Sequence, residues 1–279
     1  MKFVKLHGTG NDFVVVDARA LDREWSELAA VMCDRHFGVG GDGLILACKS
    51  DRADVRMRIF NADGSEAEMS GNGMRCLVKF AVDGGIVAPR GDEFDVETGG
   101  GVLRVRITTE NGLVTSVRES MGPPHLDPRE IPVAIEAVAP VTSLEVAVDG
   151  HRLDVTPVSM GNPHAVYFQS SPVADYPLHD IGPLVEHHAL FPRRTNFEVV
   201  RVLGRDTAEM RVWERGVGET LSCGSGASAT MVAARLRGLV DNAMELRVPG
   251  GVLQLEWDGE GDVILTGPVV ESFRGEWPA

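Results

Sequence analysis

The strongest constraint on what this chain can fold into is that it is written twice. GNDFVVV (10–16) recurs as GNPHAVY (161–167), 151 positions on. FNADGSEAEMSGNG, ending at Gly73, recurs as VWERGVGETLSCGSG, ending at Gly226, 153 positions on. GGVLRV from Gly100 is answered by GGVLQL from Gly250, and the MGPP from Met121 by the TGPV from Thr266, at offsets of 150 and 145. Each block is short, but four in one order at nearly one spacing predict a duplication and two homologous halves. The Pro-rich, polar MGPPHLDPREIP (121–132) reads as the crossover between them. The expected domains are 1–122 and 123–267, with 268–279 packing back on the first, and 279 residues suit two moderate domains.

Within each half, alternating runs such as FDVETGGGVLRVRIT and VTSVRESM read as antiparallel strands parted by Gly turns. One helix per half stands against them. GMRCLVKFAVD puts Met74, Leu77, Val78 and Ala81 on one face, and GASATMVAARLRG does the same with Ala229, Val232, Ala233 and Leu236, with Gly238 placed to end it. Helices this apolar are buried. The expected fold is therefore α+β, with a mixed or antiparallel sheet wrapped around a central helix in each domain.

Composition narrows the ligand. A formal net charge of −14 argues against nucleic acid or an anionic membrane as partner and leaves a small zwitterionic or cationic ligand open. Cys33, Cys48, Cys76 and Cys223 show no CxxC spacing, which predicts neither a metal site nor a disulfide framework. The opening MKFVKLHGTGNDF lacks a signal-peptide core and no apolar run is long enough for a bilayer, so a cytoplasmic protein is expected. None of the lysines, Lys2, Lys5, Lys49 and Lys79, sits in a pyridoxal-phosphate context, and GVGGDG and ETGGGVL match no nucleotide-binding motif. The expectation is catalysis without a cofactor.

Chemistry concentrates where the two copies differ in one side chain. Ser70 precedes Gly71-Asn72-Gly73, and Cys223 precedes Gly224-Ser225-Gly226, each at the start of its helix. Ser is a favoured N-cap, so Ser70 alone reads as a cap. Cys is not, and a thiol at the positive end of a helix macrodipole is expected to have its pKa lowered from roughly 8.5 toward neutrality. Cys223 therefore reads as reactive, whereas Cys33, Cys48 and Cys76 read as packing. The amides of GNG and GSG form anion nests suited to a carboxylate. Two such nests would face one ligand across the domain cleft, which suits stereoinversion at a carbon acid: one base takes a proton from one face while its partner delivers a proton to the other. A hydrolase dyad of His164 with Cys223 is the competing local reading. His187 and His188, in HHALFPRR, read as solvated surface where a helix gives way to a loop.

The blocks HGTGNDFVVVD, FNADGSEAEMSGNGMRC, SMGNPH, RRTNFEVV, ERGVGETLSCGSGASA and VPGG, spread from the N-terminus to about Gly267, resemble the diaminopimelate epimerase family. The resemblance implies a PLP-independent isomerase of two homologous α/β domains, typically a homodimer. It further implies conversion of LL- to meso-diaminopimelate in lysine and peptidoglycan-precursor synthesis. Carried over by position, Asn11, Asn61, Asn162 and Asn196 would bind the ammonium and carboxylate groups, Glu214 an ammonium and Arg215 a carboxylate. Gly71, Asn72, Gly224 and Ser225 would supply donors at the helix entrances, and His164 and Glu214 would tune the acid–base pair. Asn-Pro and Gly-Asn are also turn formers. Yet Asn11 and Asn162 hold equivalent places, as do Asn61 and Glu214, each nine residues before its helix-entrance residue.

The family pattern has Cys at both entrances, and Ser70 breaks it at the first. A hydroxyl is far harder to deprotonate than a thiol, and loss of one acid–base partner costs roughly 10²–10⁴-fold. Three accounts of Ser70 stay open on sequence alone: an introduced Cys→Ser change, a natural variant in which Ser70 or water delivers the proton slowly, or other chemistry such as one-base elimination from an amino or imino acid. A racemase of another amino acid and a catalytically inactive amino-acid-binding relative are further alternatives. Gly43, where some members carry a polar side chain, is a smaller departure.

Overall fold

A computed structural model describes residues 1–278 and divides into two units. One comprises Met1–Glu119 with the segment from Thr266 onward, the other Ser120–Leu265.

The first unit runs β1 (Lys2–Gly8), β2 (Asn11–Asp17), α1 (Trp25–Cys33), β3 (Gly43–Cys48), β4 (Val55–Asn61), β5 (Glu66–Ala67), α2 (Gly71–Asp83), β6 (Glu93–Thr98), β7 (Gly101–Glu110) and β8 (Leu113–Ser120). β2 pairs antiparallel with β1 and parallel with β3, and β4 pairs antiparallel with β3 and parallel with β6. β6, β7 and β8 then continue as an antiparallel meander. A parallel pair needs a crossover, and α1 supplies it between β2 and β3. The sheet wraps α2, whose Met74, Cys76, Leu77, Val78 and Ala81 are fully buried against Leu6, Phe13, Ile45, Ile59, Phe94 and Val105. The same helix also buries Arg75 and Lys79, paired with Glu119 and Asp83, which its apolar stripe did not foretell.

The second unit repeats the plan: β9 (Leu144–Val148), β10 (His151–Ser159), β11 (Pro163–Phe168), α3 (Leu178–Glu186), β12 (Asn196–Gly204), β13 (Thr207–Glu214), β14 (Gly218–Thr220), α4 (Gly224–Leu236), β15 (Ala243–Val248) and β16 (Gly251–Glu256). β11 and β12 are the parallel pair around α3, and β13 and β15 are parallel as β4 and β6 are. α4 is the central helix, with Ala227, Ala229, Met231, Val232 and Ala233 fully buried. It ends one residue before Arg237, and Gly238 follows at φ +69°, a left-handed turn that glycine takes without a Cβ clash. Each unit is thus α+β, a mixed sheet around a buried helix.

The sequence reading missed α1 and foresaw only the end of α3, where HHALFPRR leaves the helix. α1 and α3 are nine residues each; neither has a side-chain N-cap, and α3 contains Pro183, so their local signals are weak. β9 covers the outer edge of β10. In the first unit the corresponding place beside β1 is filled from the far end of the chain, where β17 (Ile264–Pro268) leads into β18 (Val270–Glu276), paired with β1 from Lys2↔Glu276 to His7↔Val270. Among the described residues no helix is long and apolar enough to cross a membrane.

Candidate active site

Strand pairing gathers the candidate residues before any side chain is considered. In the second unit the parallel register sets His164 beside Asn196, and the antiparallel register of β12 with β13 brings Glu214 to the same end. Asn162 immediately precedes β11, and the short β14 returns the chain to Cys223 at the mouth of α4. The first unit does the same with Asn11, Gly43 and Asn61, through Phe13↔Gly43 and Gly43↔Asn61.

The two helix entrances differ as their side chains require. Ser70 adopts extended backbone and its Oγ accepts from the Gly73 amide at 3.1 Å, a regular N-cap. Replacing Ser70 by Ala is expected to cost about 1 kcal/mol, read as a fall of a few degrees in the thermal midpoint. An unchanged midpoint would show that the cap is dispensable. Cys223 has the same extended backbone and is buried, with its thiol 3.5 Å from Ser225 Oγ.

The expectation of a lowered Cys223 pKa is overturned. Burial pushes the thiol well above its ordinary range, and the carboxylates of Glu214 and Glu198 push it the same way, whereas Ser225 and the Gly226 amide only partly oppose them. A helix end offers about half a charge, and here that is less than the cost of desolvating a thiolate beside two carboxylates. The resting group is a thiol. Cys76, also fully buried, is pushed up to about 12 and keeps its packing role.

His164 is fully buried and does not pair with Cys223. Its Nδ1 lies 2.7 Å from Glu198 Oε1 and its Nε2 3.0 Å from Asn162 Oδ1, so both ring nitrogens are engaged and the hydrolase dyad is excluded. Asn196 donates to the Pro163 carbonyl at 2.9 Å and accepts from the Arg215 amide at 2.8 Å. Glu214 accepts from Thr220 Oγ1 at 2.5 Å. The exposed Arg215 guanidinium rests on the Arg193 carbonyl, and the turn behind it is pinned where Glu186 accepts from the Gly216 amide and the Trp213 indole, at 2.9 and 2.8 Å.

In the first unit, Asn72 Nδ2 donates to Asn11 Oδ1 at 3.1 Å, and Asn11 in turn donates to Asp42 at 2.5 Å. Arg75 holds Asn72 from below and reaches Glu119 at 2.9 Å. Asn61 stands apart from this chain; it is exposed and donates to Ser65 at 2.9 Å. His187 is exposed and His188 half-buried, in the loop after α3.

Sequence reasoning missed Arg75, Glu119, Glu186 and Glu198. All four are buried and lie within helices or strands, and the one available signal was a charge in an apolar run, as in NFEVV. Such a charge is buried only when paired or used.

Comparison with known proteins places this geometry among relatives. The family model described as diaminopimelate epimerase matches residues 3–126 and 156–271. The diaminopimelate epimerase of Moorella thermoacetica is 47% identical over 100% of this chain and 99% of its own length. That of Heliobacterium modesticaldum is 48% identical over the whole of both chains. Among solved structures, a phenazine biosynthesis protein of the PhzF family from Bacillus anthracis superposes with a TM-score of 0.72 at 16% identity, covering 100% of this chain and 99% of that one. A probable proline racemase from Agrobacterium radiobacter gives 0.70 at 15% identity, covering 99% and 92%. These two likenesses concern the fold.

Proposed function

The chain belongs to the diaminopimelate epimerase family, and from that membership we propose that it inverts the α-carbon of LL-diaminopimelate to give meso-diaminopimelate without a cofactor. The observation that carries the reading is Cys223 at the glycine-opened mouth of α4, beside Glu214 and above the buried Glu198–His164 pair. A thiol held protonated can deliver a proton to a carbanion. The substrate carboxylate, which gains charge as the α-proton leaves, fits the first-turn amides of Gly224 and Ser225, which have no partner within the helix.

Two-base inversion needs a second acid–base group besides Cys223. By the family pattern that role would fall to Ser70, whose hydroxyl is a poor base. Asn11, Asn61, Asn162 and Asn196 would hold the amino-acid head, with Glu214 on an ammonium and Arg215 on a carboxylate. Gly71 and Asn72 would contribute entrance amides. We read the protein as a cytoplasmic homodimer on the strength of the family alone.

The test is α-hydrogen exchange. With LL- or meso-diaminopimelate in deuterated water, deuterium is expected at the α-carbon, at a low rate, and Cys223→Ala is expected to lower it by at least about 10²-fold. Exchange that survives Cys223→Ala would remove this thiol from the chemistry.

A further inference from the structure

At the strand position of Glu198 the first unit carries a hydrocarbon; its own buried carboxylate, Glu119 on β8, approaches α2 at Gly71 instead. The parallel registers align Phe13 with Gly43 and His164 with Asn196, so two residues along each strand Glu198 stands where the first unit has Ile45. The helices give the same alignment. A Cβ placed on Gly73 would lie 3.1 Å from Ile45 Cδ1, whereas one on Gly226 would lie 2.7 Å from Glu198 Oε1 and 3.5 Å from Cys223 Sγ. The carboxylate is therefore lodged under the first turn of α4, beside the thiol.

Its environment is costly for a purely structural residue. Glu198 is fully buried, Oε1 meets His164 at 2.7 Å, and Oε2 has no hydrogen-bond partner. Desolvating a carboxylate with one oxygen unmatched opposes folding, and Ile45 shows that this fold accepts a hydrocarbon at the equivalent point. Glu198 also sets a line of contacts, from its own oxygen through the His164 ring to Asn162, one of the amides assigned to the substrate.

We propose that Glu198 is the positioning residue of the second half-site: it fixes the His164 ring and thereby Asn162, and from beneath α4 it keeps Cys223 in the protonated form. This deepens the epimerase reading and, for its link to turnover, rests on it. The charged and titratable groups facing Cys223 are Glu198 on β12 and Glu214 on β13, with His164 on β11 reached through Glu198. Glu214 is retained in every variant below.

The experiment follows Cys223 alkylation by iodoacetamide against pH, located by peptide mass mapping so that Cys33, Cys48 and Cys76 are counted separately. Burial raises the pKa of the Glu198 carboxyl itself, against the pull of His164, so the comparison is read over the pH range in which it is ionised, where removing an anionic neighbour favours the thiolate. Glu198→Gln is expected to lower the pH midpoint at Cys223 by about one unit, giving about tenfold faster labelling at pH 7. Glu198→Ile, which copies the first unit, should do the same, and Glu198→Asp should stay near the parent. An unchanged profile in folded Gln and Ile variants overturns the proposal, as does failure of both to fold, which would make Glu198 structural. Alkylation needs no turnover, so it judges Glu198 even if the protein proves not to be an epimerase. In a Ser70→Cys background with measurable exchange, Glu198→Gln should lower kcat by roughly 10–10²-fold with KM within about threefold. A loss confined to KM would contradict a role in the acid–base step.

Discussion

Replacing Ser70 by Cys is expected to raise diaminopimelate epimerisation by at least about 10²-fold. Ser70 is half-buried, already in the extended conformation of a cap, and at the same point of its helix as Cys223. The substitution exchanges oxygen for sulfur at a prepared site. A thiol is a far stronger acid than the hydroxyl it replaces and, by the family pattern, would serve there as the base; a hydroxyl cannot without another base beside it. The same change loses most of the capping bond to the Gly73 amide, so activity should rise while the thermal midpoint falls slightly. Opposite movement of the two quantities is hard to produce by nonspecific repair of a damaged fold. The measurement is deuterium incorporation and stereochemistry at the α-carbon of LL- and meso-diaminopimelate. A folded Ser70→Cys protein that gains nothing would remove the two-base reading, and exchange without inversion would indicate one-base chemistry.

Arg75→Ala is expected to cost about 3–5 kcal/mol, enough to bring a domain of ordinary stability close to unfolding. The Arg75 and Glu119 side chains are 0% and 3% exposed, and Arg75 Nε and Glu119 Oε2 lack partners. Burial already pushes Glu119 up to about 7 against the pull of Arg75, so removing the guanidinium leaves a carboxyl with little to hold it. Replacing both residues, as Arg75→Met with Glu119→Leu, should cost much less than the sum of the single losses, because no buried charge is then stranded. Urea unfolding at constant slope reads both. A single variant with an unshifted midpoint would show that the pair contributes nothing. Since Arg75 also holds Asn72, and Asn72 holds Asn11, the folded fraction of Arg75→Ala should bind substrate more weakly.

What the sequence disclosed follows the physics of each residue. The duplication was legible because glycines and asparagines at strand ends and helix mouths are placed by backbone geometry, which both halves share. The two central helices were legible because a small apolar stripe on thirteen residues leaves few alternatives. α1 was not, and α3 only at its end, since a nine-residue crossover helix is stabilised by the sheet it packs on rather than by its own caps. Cys223 was singled out from its place at a helix mouth, but its protonation was read backwards. A helix end is visible in a string of letters; the desolvation around the thiol and the approach of Glu198 from another strand are not. Arg75 and Glu119 lie 44 positions apart and meet only after the sheet has closed around α2.

The pairing of β18 with β1 joins residues as distant as Lys2 and Glu276. During synthesis the contiguous second unit, Ser120–Leu265, is complete before the strand that finishes the first has left the ribosome. Through that interval β1 offers an open edge, a template for mispairing that a nascent chain meets without its own partner strand. The half that is made first is the half that is finished last.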